Sequence, residues 1–176
     1  MSQYLNVFLR KKTGKLKGAV IPFGTYSRST EIYDIFYEAL YLPYDRANIL
    51  TDKNIADLIA ETNSRIKELN KANEKDEQVN NWLKSSATPQ VYDKFVEQVT
   101  ERVEMISERK AEIDNYKNIL GILDVLDDML FLFKDEVEIV YGVDIGPDDD
   151  GYFEGEKEET DEPAEESKDS DDEKFF

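Results

Sequence analysis

Two residue types that carry much of protein chemistry are missing, because the 176-residue chain contains no cysteine and no histidine. Without cysteine there is no disulfide framework, no thiol nucleophile and no thiolate metal ligand. Without histidine the chain lacks the commonest general base near neutral pH and the commonest transition-metal ligand. We therefore expect a non-enzymatic protein with no catalytic residues, no metal site and no cofactor.

Long apolar segments are missing as well. The longest uninterrupted apolar run is the five residues from Met129 to Phe133, whereas a membrane-spanning helix needs roughly 20. Near the N-terminus a basic cluster follows only nine residues, two of which carry amides, so we recognise no secretory signal. These absences predict a cytoplasmic protein with no membrane partner.

Basic residues are scarce relative to acidic ones. The chain has 22 Lys and Arg against 40 Asp and Glu, which gives a formal net charge of −18. Residues 1–30 hold six basic residues and no acid, whereas residues 147–176 hold fifteen acids and three lysines. A basic front and an acidic rear favour electrostatic self-association or competition for a partner.

The composition divides the chain into two parts. Residues 147–176 are dominated by Asp, Glu, Ser, Gly and Pro and show no apolar periodicity. Such a segment cannot bury enough apolar surface to offset its ordering entropy, so we predict a disordered acidic tail. Residues 1–146 have the usual size of one domain.

Alternating apolar residues predict strands at both ends of this domain. Leu5, Val7 and Leu9 would share one face of a strand, and a second strand from about 16 to 23 would complete a β-hairpin. A further alternation predicts a strand from about 136 to 145. We expect it to join the hairpin, because a lone hairpin is marginal in water.

Helical periodicity fills the region between these strands. A short apolar stripe predicts a helix near residues 32–40, and heptad-like steps run from Ile55 to Leu69 and from Tyr92 to Leu123. Thr88 and Pro89 are a strong helix start, and Gly121 should bend or interrupt the last helix. The predicted fold is therefore α+β and mostly helical. A small antiparallel sheet carries a long antiparallel coiled-coil hairpin arm, at about 52–130.

A basic cluster surrounds the predicted hairpin turn, and it consists of Arg10, Lys11, Lys12, Lys15 and Lys17. Five positive charges in eight residues suit nucleic-acid phosphates. Four aromatic residues lie nearby in the sequence for base stacking, namely Tyr4, Phe8, Phe23 and Tyr26. The alternative interpretation is a hairpin whose charged edges discourage edge-to-edge pairing and whose aromatic residues belong to the core.

Two groups of acids invite a metal-binding interpretation. Asp124, Asp127 and Asp128 share one helix face and could hold Mg²⁺, but we favour a solvated helix face because no catalytic lysine or phosphate loop accompanies them. The acidic run ending at Gly151 fails as a calcium loop, because Gly146 and Lys157 would then occupy its first and twelfth ligand positions.

Trp82 has two interpretations as well. It would either pack with Leu83 to close the tip of the helical hairpin or stand exposed as an interface anchor. We favour packing.

The end of the tail is the most specific feature, with the sequence Asp169-Ser170-Asp171-Asp172-Glu173-Lys174-Phe175-Phe176. It resembles the acidic, aromatic tips of bacterial and phage single-stranded DNA-binding proteins over these eight residues, although Lys174 departs from the acidic pattern. The resemblance implies that Asp171, Asp172, Glu173, Phe175 and Phe176 bind a partner protein. It also implies that they can fold back on the protein's own nucleic-acid site. No five-stranded barrel is visible upstream.

These features lead to three functional hypotheses. The first is a non-enzymatic accessory or regulatory protein of nucleic-acid transactions, phage or mobile-element encoded, whose tail recruits a protein partner or autoinhibits the basic hairpin. The second is a structural protein that forms homo-oligomers through the coiled-coil arm. The third is an inhibitor that presents acids in imitation of a nucleic acid.

Overall fold

The structure of the chain, a computed structural model, describes residues 3–40, 42 and 47–146. The predicted disordered tail lies outside the described residues. Within them the chain forms four strands and three helices. In chain order these are β1 (Tyr4–Lys11), β2 (Val20–Ser27), α1 (Glu31–Leu40), β3 (Asn48–Leu50), α2 (Asp52–Ser86), α3 (Pro89–Phe133) and β4 (Val137–Val143).

The strands form one antiparallel sheet in the order β2-β1-β4-β3. In the register of the sheet, Leu5 of β1 lies opposite Tyr26 of β2 and opposite Val143 of β4. The predicted hairpin, the predicted C-terminal strand and their union in one sheet are confirmed. The short strand β3 was not predicted. It places Ile49 opposite Val140 of β4, and three residues are too few to show an alternating pattern.

The loop of the β1–β2 hairpin is longer than predicted. β2 begins at Val20 rather than Leu16, because residues 12–19 form a turn in which Gly14 and Gly18 have φ angles of 81° and 84°. Glycine adopts this left-handed conformation without a steric penalty, since it has no Cβ. Several residues of the basic cluster therefore lie on a loop and not on a strand.

The hydrophobic core lies between one face of the sheet and the helices. β1 and β4 contribute alternate residues, α1 contributes its apolar stripe, and α2 and α3 contribute the ends nearest the sheet. Among the core residues are Leu5, Val7, Ile35, Phe36, Leu50, Ile55, Leu58, Leu123, Leu126 and Ile139. The rings of Phe36 and Tyr141 meet edge to face at 5.7 Å between centroids, which is a favoured aromatic geometry.

α2 and α3 form the predicted antiparallel helical hairpin. Thr51 caps α2 in a reciprocal capping box with Asn54, and Thr88 caps α3 with Pro89 in its first turn. The expected interruption at Gly121 is wrong, because α3 continues through it. Glycine costs about 1 kcal/mol inside a helix, and the neighbouring turns of α3 are held by the core.

The two ends of this helical hairpin have different surroundings. The core includes residues of α2 only as far as Leu69 and residues of α3 only from Tyr116 onward. Residues 70–114, which we call the distal arm, therefore pack mainly helix against helix. At about 1.5 Å per residue, the 45 residues of α3 extend for about 68 Å.

Candidate interaction site at the tip of the helical arm

Two of the five predicted nucleic-acid contacts are paired with acids of the same chain. Arg10 Nε donates to Glu138 Oε1 at 2.5 Å, and Lys11 Nζ donates to Glu136 Oε2 at 2.9 Å. Both acids lie in β4 or immediately before it, and β4 is the neighbour of β1 in the sheet. The side chains of the Arg10–Glu138 pair are only 13% and 20% exposed. These two basic side chains therefore form ion pairs with the segment of the same chain that contains β4.

The other three predicted contacts, Lys12, Lys15 and Lys17, lie on the turn and are exposed. Lys12 Nζ donates to the backbone carbonyl of Lys134 at 2.9 Å. A carbonyl carries only a partial negative charge, so this hydrogen bond does not neutralise the lysine. The turn presents three lysines to solvent.

The aromatic residues considered for base stacking do not gather around this turn. Phe8 is buried, and Phe23 and Tyr26 pack against the core. Tyr4 is exposed but stands at the opposite end of β1 from the turn, about 23 Å away at 3.3 Å per residue. The turn therefore offers charge without adjacent stacking surfaces from these residues.

The two groups of acids that were considered for metal binding lie in different parts of the chain. Asp124, Asp127 and Asp128 are all exposed on α3, and no group of three or more acids among the described residues is placed to hold a metal ion. The calcium-loop candidate ending at Gly151 lies outside the described residues. The tail residues Asp171, Asp172, Glu173, Phe175 and Phe176 lie outside them too.

At the tip of the arm the packing prediction for Trp82 is wrong. Trp82 is 63% exposed, whereas the adjacent Leu83 is only 6% exposed. Leu83 continues the seven-residue spacing of Thr62, Leu69 and Asp76 and so faces α3. A neighbouring residue on a helix points about 100° away. Leu83 therefore closes the tip, and the indole is left at the surface.

The exposed indole belongs to an apolar groove between the two helices. The groove has a volume of about 440 Å³ and is lined by Val79, Trp82, Leu83, Ser86, Ala87, Thr88, Val91, Phe95 and Arg102. Val91 and Phe95 are 41% and 40% exposed. Each of them stands one position before a residue of the heptad pattern, Val91 before Tyr92 and Phe95 before Val96. The first turns of α3 therefore have two adjacent apolar stripes. That doubled stripe was the sequence signal for the groove.

Polar side chains form two successive layers inside the distal arm. In the layer nearer the base, Arg109 Nη1 donates to Asp76 Oδ2 at 2.6 Å and contacts Asn73 Oδ1 at 3.4 Å. One heptad nearer the tip, Asn80 and Arg102 repeat the positions of Asn73 and Arg109.

The second layer lacks the acid of the first, because Leu83 stands at the position equivalent to Asp76. Arg102 Nη1 and Asn80 Oδ1 are both buried without a hydrogen-bond partner among the described residues. An unpaired buried polar atom costs about 1–3 kcal/mol. Arg102 is one of the residues that line the tip groove, and its buried Nη1 has no hydrogen-bond partner among the described residues.

A second apolar surface lies at the opposite end of α3, where Phe131 and Leu132 are 80% and 66% exposed. Phe131 borders a groove of about 650 Å³ whose other walls include two lysines and four acids. These mixed charges favour neither an anionic nor a cationic ligand. No helix within the described part of the chain combines the length and the apolar character needed to cross a membrane.

The base of the arm is held by charge and by a buried phenol. Arg65 of α2 pairs with Glu38 of α1 and with Glu61, the latter at 3.1 Å. Burial, with a smaller contribution from the Glu112 carboxylate, raises the pKa of Tyr116 on α3 to about 12. The Arg65–Glu38 pair joins α2 to α1, and Tyr116 brings α3 into the core that the three helices share.

The fold and this site define an α+β protein with a helical hairpin whose tip is apolar and aromatic. Comparison of the chain with protein-family models, with curated proteins and with solved structures gives no match.

Proposed function

We propose that this chain is a non-enzymatic interaction protein that presents the tip of its helical arm to a partner protein. The observation that carries the proposal is the exposure of Trp82 beside Val91 and Phe95 around one groove. Tryptophan is enriched among the residues that dominate binding energy at interfaces. The distal arm holds this groove away from the core, where a partner can approach from several sides.

The size and lining of the groove suit a peptide-like ligand. A volume of about 440 Å³ accommodates one or two large side chains, and the groove is open to solvent between the two helices. Ser86 and Thr88 at the rim can hydrogen-bond a main chain. We therefore assign the groove to an apolar or aromatic anchor of a protein.

Site-specific photo-cross-linking tests the proposal. A photoreactive residue replacing Val91 should give discrete adducts in an extract of the source cells, whereas the same residue replacing the exposed Glu97 should not. Adducts should disappear when Trp82→Ser and Phe95→Ser are added, and unlabelled protein should compete for them. Equal adducts from positions 91 and 97 would contradict the assignment.

A nucleic-acid role is the second candidate, and the exposed turn that carries Lys12, Lys15 and Lys17 favours it. Three lysines on a glycine-hinged loop can contact successive phosphates. In this version the chain is an accessory protein of nucleic-acid transactions, its turn contacts the backbone, and its arm recruits a protein.

Homo-oligomerisation through the seam of the arm is less favoured. Ile106 and Ile113 are buried between α2 and α3 of one chain, so the seam is already used within the molecule. Replacing either residue with Asp should unfold the arm rather than separate subunits.

A further inference from the structure

The polar layer at the tip of the arm lacks the carboxylate that the equivalent layer nearer the base contains. There, Asp76 supplies the carboxylate that pairs with Arg109 at 2.6 Å. At the tip, Leu83 takes the place of that acid. Arg102 is one of the lining residues of the groove, and its buried Nη1 has no partner among the described residues. The groove is therefore suited to an apolar side chain accompanied by a carboxylate.

We propose that residues 169–176 of this same chain occupy the groove, an inference that rests on the proposed function of the groove as a binding site. This segment, Asp-Ser-Asp-Asp-Glu-Lys-Phe-Phe, carries four side-chain carboxylates and two phenylalanines. One phenylalanine fills the space between Trp82 and Phe95, and a side-chain carboxylate pairs with Arg102. The carboxylate of the bound segment then has the same role in this layer that the carboxylate of Asp76 has in the layer nearer the base.

The chain leaves β4 at the side of the base from which the arm extends. Tyr4 N donates to Asp144 Oδ1 at 2.9 Å, just after β4, and Tyr4 lies opposite Ser27 in β2. Four residues after Ser27, Glu31 accepts a hydrogen bond from Asn115 of α3 at 2.9 Å. These linked contacts place the exit of the chain near the level of Asn115.

The remaining distance matches the length of the chain that follows. From Asn115 to Phe95, α3 rises by about 30 Å. Thirty residues behaving as the flexible chain that their composition predicts have a root-mean-square span of about 30 Å. The other aromatic pair of this segment, Tyr152-Phe153, is seven residues or fewer from Gly146 and reaches at most about 25 Å. Residues 169–176 can therefore reach the tip of their own arm, and the nearer aromatic pair falls short.

Tethering makes even a weak contact effective. A flexible link of this length gives an effective concentration on the order of 1 mM. A segment that binds as a free peptide with a Kd of about 100 µM would then fill the groove about 90% of the time. A partner protein must displace it, so the segment controls access to the groove.

Trp82 provides the assay, because it is the one tryptophan of the chain and it lines the groove. A synthetic peptide of residues 169–176 is titrated into full-length proteins while indole fluorescence is followed. The tail variant carries Asp171→Asn, Asp172→Asn, Glu173→Gln, Phe175→Ser and Phe176→Ser. A matched control carries Asp148→Asn, Asp149→Asn and Asp150→Asn, which removes the same charge elsewhere.

The peptide should bind the tail variant about ten-fold more tightly than the wild-type chain, because the resident segment no longer competes. The matched control should behave as the wild type. Adding Arg102→Gln to the tail variant should weaken peptide binding about ten-fold, as expected for a lost hydrogen bond between charged groups. Lys94→Gln, which removes an exposed charge next to Phe95, should leave it unchanged.

Equal peptide affinities for the wild type and the tail variant would overturn the inference. So would an indole signal that depends on protein concentration, since that indicates binding between chains. The proposed function has its own test. If it is wrong, a photoreactive residue at position 91 gives no adducts with other proteins in the wild type and none in the tail variant. If only the inference fails, cross-linking persists and is equal in the wild type and the tail variant.

Discussion

At the scale of single residues, Trp82 and Leu83 are adjacent apolar residues at the tip of the arm, but their surroundings differ. Leu83 lies on the seam between the helices and excludes water from it. Trp82 lies beside the seam and keeps most of its indole in solvent. Its indole shares one groove with the exposed side chains of Val91 and Phe95, and it is contiguous apolar surface of this kind that is typical of interaction sites.

The first prediction separates these roles by stability. Leu83→Ala should lower the free energy of unfolding by about 2–4 kcal/mol, because it removes buried apolar volume. Trp82→Ser should change it by less than about 0.5 kcal/mol, because the indole is already largely exposed. Urea unfolding followed by helical circular dichroism measures both. A Trp82→Ser cost as large as that of Leu83→Ala would return the tryptophan to a packing role.

The second prediction concerns Tyr116 and alkaline pH. Its pKa of about 12 in the folded protein lies above the ordinary value of 10.0, so the folded state retains the phenol proton more tightly than the unfolded chain. The resulting stabilisation is complete below pH 10 and is lost as the pH rises from 10 to about 12. Tyr116→Phe should therefore flatten the fall in melting temperature across this window.

The control for this measurement is Tyr37→Phe, which removes a hydroxyl from an exposed position. Some slope should remain in Tyr116→Phe, because burial also raises the pKa values of Tyr26 and Tyr141. If the melting temperatures of the wild type and Tyr116→Phe fall in parallel as the pH rises, the Tyr116 phenol does not cause the fall.

At the scale of elements, features with a local signature could be predicted from the sequence. The alternation around Leu5 predicted a strand of the sheet, and the start signal at Thr88 and Pro89 predicted the second helix of the helical hairpin, because strand period and capping are encoded over a few residues. The short strand β3 has no such signature. It pairs with the edge of β4 that β1 does not occupy.

Features that depend on distant residues could not be predicted. The ion pair of Arg10 could not be predicted, because its partner Glu138 is 128 positions away in the chain. The groove at the tip was missed for a related reason. The heptad pattern identifies the seam but does not show which neighbours of the seam lie outside it.

The third prediction tests the polar layer nearer the base. Asp76→Ala should destabilise the protein by about 1–3 kcal/mol, because it leaves the partly buried guanidinium of Arg109 without its carboxylate. Glu77→Ala should cost less than about 0.5 kcal/mol, because its 3.4 Å pair with Lys110 is solvent-exposed. Equal costs in chemical unfolding would mean that this layer does not stabilise the arm.

At the scale of the whole molecule, charges separated along the sequence are partly brought together in space. Arg10 and Lys11 are paired with acids of the C-terminal part of the domain, and Lys12, Lys15 and Lys17 lie on the exposed turn. Under the autoinhibition hypothesis the fifteen acids of residues 147–176 act on this turn, and under the inference above residues 169–176 occupy the tip of the arm. Deleting residues 147–176 changes the formal net charge from −18 to −6.

The fourth prediction is that deleting residues 147–176 strengthens binding to a single-stranded oligonucleotide at low salt, because it removes long-range repulsion and competition for the turn. If three lysines contact phosphates, the logarithm of the binding constant should fall with the logarithm of salt concentration with a slope of about −2. Replacing Lys12, Lys15 and Lys17 with Gln should abolish both the binding and its salt dependence. Unchanged affinity on deletion would remove the autoinhibition hypothesis.

Full-length variants of the acidic segment separate its two roles. Neutralising the triplet Asp148–Asp150 weakens the long-range field without touching residues 169–176, so it should raise oligonucleotide affinity while leaving the Trp82 signal unchanged. Replacing Phe175 and Phe176 with Ser changes no charge, so it should alter the Trp82 signal while leaving oligonucleotide affinity unchanged. If the phenylalanine variant also released the turn, the acidic segment would have to act on both sites through one bound state.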